Sequence, residues 1–266
     1  MIGDNLLIDA DKVKNDLNEK GWAKLINFFD SKYIHYGNEK INELFDVYEK
    51  IQKDKGVEKL TKNTLHHIPI LCPEFAEVTF NDVLYDLLES IFNGKIIINC
   101  FGVSRINPNE ITYTQKIHRD ARDIYSSQDM LNLIILFTDS SSENGGTWIL
   151  EGSHKNPSHI KPSLDDFNKK AKIITGSAGD LIVFNPFMWH CSGENKSNAT
   201  RIVLTPIVTR PFIKPGLDYV RGLGSDYFLT CSEKMKQLFG YYSRVPSNLN
   251  EFYAKDDDRF YKRDQK

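Results

Sequence analysis

His118 and Asp120, in the stretch Gln115-Lys116-Ile117-His118-Arg119-Asp120, place an imidazole and a carboxylate two positions apart, after a run that reads as a β-strand. Successive strand side chains alternate faces, so the two project to the same side. A neutral imidazole and a carboxylate so placed can ligate a divalent metal. They supply two of the three protein ligands that a facial non-haem iron centre needs. A candidate third ligand is His190, which closes Asp180-Leu-Ile-Val-Phe-Asn-Pro-Phe-Met-Trp-His190. There an apolar strand runs into a proline turn and then an aromatic-flanked histidine. Two histidines and one carboxylate leave coordination positions open for other molecules. Arg201 opens a further apolar strand eleven residues after His190. Its planar fork suits bidentate capture of a carboxylate beside the metal.

Other residues compete for these roles. Asp123 is a rival carboxylate, but at i+5 it opposes His118 on a regular strand and reads as a loop or rim charge. His154 reads as a turn residue, His159 as solvated, and His66-His67 as a loop pair rather than a second metal site. Cys191, beside a ligand, reads as an inert, partly buried thiol. Arg105, Arg119, Arg122 and Tyr125 are substrate-side candidates or else surface residues. Arg119, between the two ligands, would hint at an anionic substrate if it faced inward. Asn132 begins an otherwise apolar strand, and its direction stays open between pocket and solvent.

The elements that must position these groups follow from periodicity and punctuation. A short helix is expected over 9–19, a strand over 22–29, and a helix from the Asp30-Ser31 cap to about Gln52. Residues 53–68 are polar and basic and read as an exposed loop. Asn81 caps a further helix whose stripe is Leu84, Leu87, Leu88, Ile91 and Phe92, and Asn93-Gly94 ends it. Strands are expected at 96–106, 112–117, 131–138, 147–150, 171–175, 180–184 and 201–209. Short strands with long loops suggest a β-sandwich or jelly roll, with the preceding helices on one sheet's outer face. From about 216 the chain returns to helix and loop, and the highly charged residues 255–266 are expected to fray.

The composition narrows the partners. A net charge of −2 and a pI of about 6.4 give no global attraction to nucleic acid or an anionic membrane. No run is long and apolar enough to span a bilayer, and the N-terminus lacks a basic start followed by an apolar core. The four cysteines are scattered without CxxC spacing, which argues against a thiolate zinc site or a disulfide framework. A reducing, cytoplasmic setting is expected.

Four ordered blocks resemble the phytanoyl-CoA dioxygenase (PhyH-like) branch of the Fe(II)/2-oxoglutarate-dependent oxygenases. They are Gln115-x-x-His118-x-Asp120; Glu143-Asn144-Gly145-Gly146-Thr147 with Gly152-Ser153-His154-Lys155; Gly179-Asp180-Leu-Ile-Val-Phe; and His190-x-Ser192-Gly193-x-Asn195-x-Ser197-x-x-x-Arg201. The similarity is strong over about 95–210, weak before it and not informative after about 215. Glu151 departs from the pattern, standing where many members have proline before Gly-Ser-His.

The resemblance implies a mainly β fold, a double-stranded β-helix (jelly roll, cupin-like) with N-terminal and C-terminal helical additions. It suggests a single domain over 1–266, divided into a helical N-terminal region over 1–94, a jelly-roll core over 95–210 and a C-terminal extension over 211–266. It implies Fe(II) held by His118, Asp120 and His190. It also implies 2-oxoglutarate as cosubstrate with its far carboxylate on Arg201 and Ser192, and Gln115 and Thr147 as further cosubstrate contacts. The implied reaction consumes O2, releases succinate and CO2, and hydroxylates a C–H bond of a small molecule. Oxidative epimerisation, desaturation or cyclisation shares the same start, and a non-catalytic jelly roll with a vestigial metal site is the rival from another class. Trp148, Phe187 and Trp189 would wall the site from water. Halogenating relatives lack the carboxylate that Asp120 provides, so its presence favours oxygenation.

Overall fold

The computed structural model describes residues 2–3, 8–121, 129–156, 160–262 and 265. Among them run β1 (Trp22–Leu25), β2 (Thr64–Leu65), β3 (Ile97–Ile106), β4 (Met130–Leu136), β5 (Thr147–Ile149), β6 (Lys172–Ile174), β7 (Leu181–Phe184), β8 (His190–Ser192) and β9 (Arg201–Thr209). They form a six-stranded antiparallel sheet in the order β1-β7-β4-β9-β3-β2 and a three-stranded one in the order β6-β5-β8. This is a double-stranded β-helix, or jelly roll, with helices packed around it.

The central strands are apolar on both faces, and each face has its own destination. Leu131, Leu133 and Ile135 of β4, with Leu181 and Val183 of β7, enter the core shared with the helices. Ile134 and Leu136, with Ile182 and Phe184, turn the other way and pack against Ile149 and Ile174 of the smaller sheet. The period of two therefore sorts one continuous apolar run into two layers. It also puts Arg201, Val203, Thr205 and Ile207 of β9 on the interior face.

Helices α1 (Ala10–Glu19), α2 (Ser31–Asp54), α3 (Pro73–Thr79) and α4 (Asp82–Phe92) precede the main strands, and α5 (Leu164–Lys170) precedes β6. The expected caps form: Asp9, Asp30 and Asn81 accept from the backbone N–H groups of Lys12, Tyr33 and Leu84. Asn93 ends α4 in the left-handed region, at φ 49°. α2 buries Tyr33, Gly37, Ile41, Leu44 and Phe45, and each large apolar side chain so buried contributes roughly 1.5–3 kcal/mol. Gly37 is required for close approach, because a Cβ there would lie 2.1 Å from Cε1 of Phe137.

Some expected elements differ. Residues 112–117 are not a strand; Tyr113–Gln115 form a 3-10 turn in which Gln115 Oε1 accepts from the Thr112 N–H at 3.2 Å. A Thr-x-x-Gln box satisfies the backbone locally and outcompetes a ladder. The first strand stops at Leu25, because Asn27 turns left-handed and its N–H is held by Asp180 Oδ1 at 2.8 Å. The stretch 53–68 is not all loop: α2 runs on to Asp54, and Thr64–Leu65 pair with β3. Where it is described, the charged end of the chain makes contacts with the segment before it. The Arg244 guanidinium lies 4.5 Å from the Phe260 ring, and Lys262 N–H donates to Tyr242 O at 3.0 Å. Upstream, Tyr219, Phe228, Met235 and Leu238 join the main core. Among the described residues no helix is long and apolar enough to cross a membrane.

Candidate active site

His118 reaches its position through an isolated antiparallel bridge to His190, not through a long strand. The two residues exchange backbone hydrogen bonds, His118 N to His190 O at 2.9 Å and His190 N to His118 O at 3.0 Å. Directly opposite residues of such a pair point to the same face, and the imidazole centroids are 4.3 Å apart. The N–H of Asp120 is tied to Pro186 O at 3.1 Å. Asp120 Oδ1 then lies 3.6 Å from His118 Nε2, and Oδ2 lies 3.4 Å from His190 Nε2. Donors about 2.1 Å from one cation sit roughly 3 to 3.6 Å from each other, so the three residues fit a shared metal.

The remaining ring nitrogens agree with that fit. His118 Nδ1 donates to Lys116 O at 2.6 Å, and His190 Nδ1 donates to Met188 O at 3.0 Å. A carbonyl can only accept, so each Nδ1 carries a proton and Nε2 is the ring nitrogen left to face a metal. Burial holds the pKa of His190 below its ordinary value; the Asp120 carboxylate opposes this and His118 adds to it. The ring is thus kept in its neutral, ligating form. Phe184 packs edge-on against it at 5.1 Å.

Asn132 faces the pocket. It is 2% exposed, and its Nδ2 donates to Asp120 Oδ2 while its Oδ1 finds no partner. A polar residue on a strand that is otherwise apolar on both faces was the available signal.

A second group gathers beside the triad. β5 and β8 set Thr147 opposite Ser192 and Ile149 opposite His190, so Thr147 and Ser192 share the interior face with His190. Arg201 is 1% exposed. Its Nη1 donates to Gly145 O at 3.0 Å and its Nη2 to Thr147 Oγ1 at 3.1 Å, while Nε has no partner. Among the described residues no carboxylate pairs with it. Burial pulls its pKa down to about 10, so it remains a cation at neutral pH. A buried guanidinium without an anion is costly, and the donor set fits the carboxylate of a small ligand. His118, Asp120, His190, Asn132, Thr147 and Ser192 line one cavity of about 260 Å³.

Gln115 does not line that cavity. Its amide accepts from Thr112 N and donates to Glu110 O at 3.4 Å and Gly193 O at 3.3 Å, bracing the loop next to Ser192.

The expected aromatic wall is elsewhere. Trp148 and Trp189 pack with Ile117, Phe167 and Cys191 on the outer side, because residues adjacent to inward-facing ones point outward. Arg119 goes with them: its Nε donates to Phe187 O at 2.6 Å, and its guanidinium lies 4.9 Å from the Trp189 ring. The apolar wall is instead Ile134, Phe184, Val203 and Ile207. Arg105 also faces out, 3.7 Å over the Phe45 ring and 2.9 Å from Glu49. Burial pushes the Cys191 thiol up to about 11, so it stays protonated and inert at neutral pH. His154 sits in the Ser153–Lys155 turn, within 3.1 Å of Asn18 O. His66 and His67 separate: His67 Nδ1 meets Tyr219 Oη at 3.0 Å, whereas His66 lines the cavity. Arg122, Asp123, Tyr125 and His159 lie outside the described residues.

Residues 17–203 match the family model described as phytanoyl-CoA dioxygenase (PhyH). An uncharacterized protein of Mycobacterium tuberculosis is 27% identical over 267 residues, 96% of this chain and 95% of that protein. Among solved structures, EctD from S. alaskensis with 2-oxoglutarate and 5-hydroxyectoine superposes with a TM-score of 0.63 at 14% identity, covering 77% of each chain. The non-heme alpha ketoglutarate dependent epimerase SnoN from nogalamycin biosynthesis gives a TM-score of 0.64 at 14% identity, over 82% of this chain and 91% of that one. At these identities the structural likeness concerns the fold.

Proposed function

Because the chain belongs to the phytanoyl-CoA dioxygenase (PhyH) family, we propose that it is an Fe(II)- and 2-oxoglutarate-dependent oxygenase that hydroxylates a C–H bond of a small molecule. The observation that carries this is the buried Arg201 cation, without a carboxylate partner among the described residues, which lies behind the cavity lining and reaches it through Thr147, a wall residue shared with the His118-Asp120-His190 set. We read residues 1–266 as one catalytic unit, and the four free cysteines support a reducing, cytoplasmic setting.

The chain's residues divide the work. His118, Asp120 and His190 hold the metal, their tautomers set by the carbonyls of Lys116 and Met188. Asn132 restrains the Asp120 carboxylate. Arg201 anchors the far carboxylate of 2-oxoglutarate, with the hydroxyls of Thr147 and Ser192 beside it. Gln115 keeps the Ser192 loop in register from outside. Phe184, Ile134, Val203 and Ile207 exclude water around the reacting centre. Iron and 2-oxoglutarate, when bound, supply O2 activation, coupling decarboxylation to succinate and CO2 with oxygen insertion into the substrate C–H bond.

Epimerisation is the second reading, favoured by the likeness to SnoN. Incubation with Fe(II), 2-oxoglutarate, 18O2 and a metabolite extract separates the outcomes. Hydroxylation places one labelled oxygen in succinate and one in the product. Labelled succinate with an unlabelled, stereochemically altered or unsaturated product supports the alternatives. No succinate above a metal-free control with any fraction counts against an oxygenase and for a binding protein.

A further inference from the structure

Part of the cavity wall is formed by groups that the cofactor reading does not use: Thr64, His66, Ser104, Tyr113, Thr114 and Thr205. β2 and β3 bring them together from distant stretches of the chain, with Thr64 opposite Ser104 and Gly102 opposite Thr205. Gly102 keeps the space open, because a Cβ there would lie 2.9 Å from both Leu65 O and Thr205 Oγ1.

These groups have one chemistry in common. Hydroxyls and a neutral imidazole both donate and accept, as a substrate hydroxyl does. Ser104 is 6% exposed and its Oγ has no partner, which is costly unless a ligand group meets it. Thr64 spends its proton on Thr61 O at 2.8 Å, and its lone pairs face the Tyr113 hydroxyl on the same wall. His66 Nε2 and Tyr113 Oη meet at 3.2 Å, holding the phenol ring in place. That ring is 44% exposed, and offers an apolar face to C–H groups. Among the described lining residues there is no lysine or arginine, and the one carboxylate is Asp120. A phosphate, carboxylate or coenzyme A thioester would find no cation among these described lining residues.

We propose that this part of the cavity binds a neutral, polyhydroxylated ring, the sugar unit of a saccharide or glycoside, and presents one of its C–H bonds to the metal triad. The reaction assignment rests on the proposed oxygenase function, whereas the sugar contact itself does not. In the balanced step, one atom of O2 enters the sugar C–H bond as hydroxyl and the other enters succinate. The carbon and 2-oxoglutarate each give up two electrons, and CO2 leaves.

The probes are methyl glycosides of common hexoses and deoxyhexoses, against a counter-panel of a long-chain acyl-CoA, a sugar phosphate and free amino acids. Saturation-transfer NMR on the metal-free protein reads ring contact without cofactor. Succinate release with Fe(II) and 2-oxoglutarate reads turnover. The expected result is saturation transfer to a methyl glycoside that also stimulates succinate. Ser104→Ala and Tyr113→Phe should each weaken its binding about fivefold, with the affinity for 2-oxoglutarate unchanged. The proposal is overturned if no methyl glycoside binds, if only counter-panel compounds do, or if neither variant moves glycoside affinity. Glycoside binding that responds to both variants without any succinate would leave the sugar site standing and count against the oxygenase function.

Discussion

Replacing Arg201 with Met separates a cosubstrate anchor from a structural cation, because the two roles predict opposite balances. Without 2-oxoglutarate, Arg201→Met loses the bonds to Gly145 O and Thr147 Oγ1, at about 1 kcal/mol each. It also removes a cation that is 1% exposed and has no carboxylate partner among the described residues, a relief worth up to several kcal/mol. The two nearly cancel, so the unfolding free energy should stay within about 1 kcal/mol of the parent, where truncating an ordinary large core side chain costs roughly 2–5 kcal/mol. On the ligand side, two charge-assisted bonds at about 1.5 kcal/mol or more each are lost, about 3 kcal/mol in all and near 100-fold in Kd. Urea unfolding under anaerobic Fe(II) reads both quantities. At 2-oxoglutarate set to about 100 times the parent Kd, the parent gains about 2.7 kcal/mol and the variant about 0.4 kcal/mol. A variant that loses more than about 3 kcal/mol without ligand, yet is stabilised by 2-oxoglutarate like the parent, would refute the anchor and make Arg201 a brace for the loop at Gly145.

Asn132→Leu removes the donor to Asp120 Oδ2 and should weaken metal binding roughly 10–100-fold, read by Co(II) titration of the metal-free protein; unchanged affinity would remove its positioning role. Gly37→Ala forces a methyl to within 2.1 Å of Phe137, which is 2% exposed. It should cost about 1–3 kcal/mol in urea unfolding, and an unchanged midpoint would contradict the close packing of α2. Burial, reinforced by His66, lowers His67 from 6.5 to about 4. The unfolded chain therefore takes up the proton first, so its contribution is complete above pH 6.5 and is lost as pH falls toward 4. The nominal shift is reduced to about 1–2 kcal/mol for the ring's partial exposure. The difference in stability between pH 7 and about 4.5 should shrink by roughly that amount in His67→Gln, and an identical pH profile would contradict it.

The features of this molecule that were readable from the chain are those set by near neighbours. Asp9, Asp30 and Asn81 cap helices within three residues of themselves. β3 and β9 announce themselves as long apolar runs. The His118-Asp120-His190 set was found from residue type and order, and its atoms do come within 4.8 Å of one another. What escaped depended on competition or on distance. The Thr112-to-Gln115 box folds a turn where flanking isoleucines suggest a strand. Trp148, Trp189 and Arg119 adjoin interior residues in sequence and so lie on the opposite face, which alternation could have indicated. His66 and Ser104 come to the cavity through β2, a two-residue strand too short to leave a pattern. Asn132 carried a signal, but only the partner at Asp120 shows what it is for.

The most direct measurement is an anaerobic titration of the Fe(II)-loaded protein with 2-oxoglutarate, followed by visible absorption. The account predicts a weak metal-to-ligand charge-transfer band in the parent protein, absent in His118→Ala and His190→Ala, and shifted to higher 2-oxoglutarate concentration in Arg201→Met. No band in the parent, or a band that persists in His118→Ala, would contradict it.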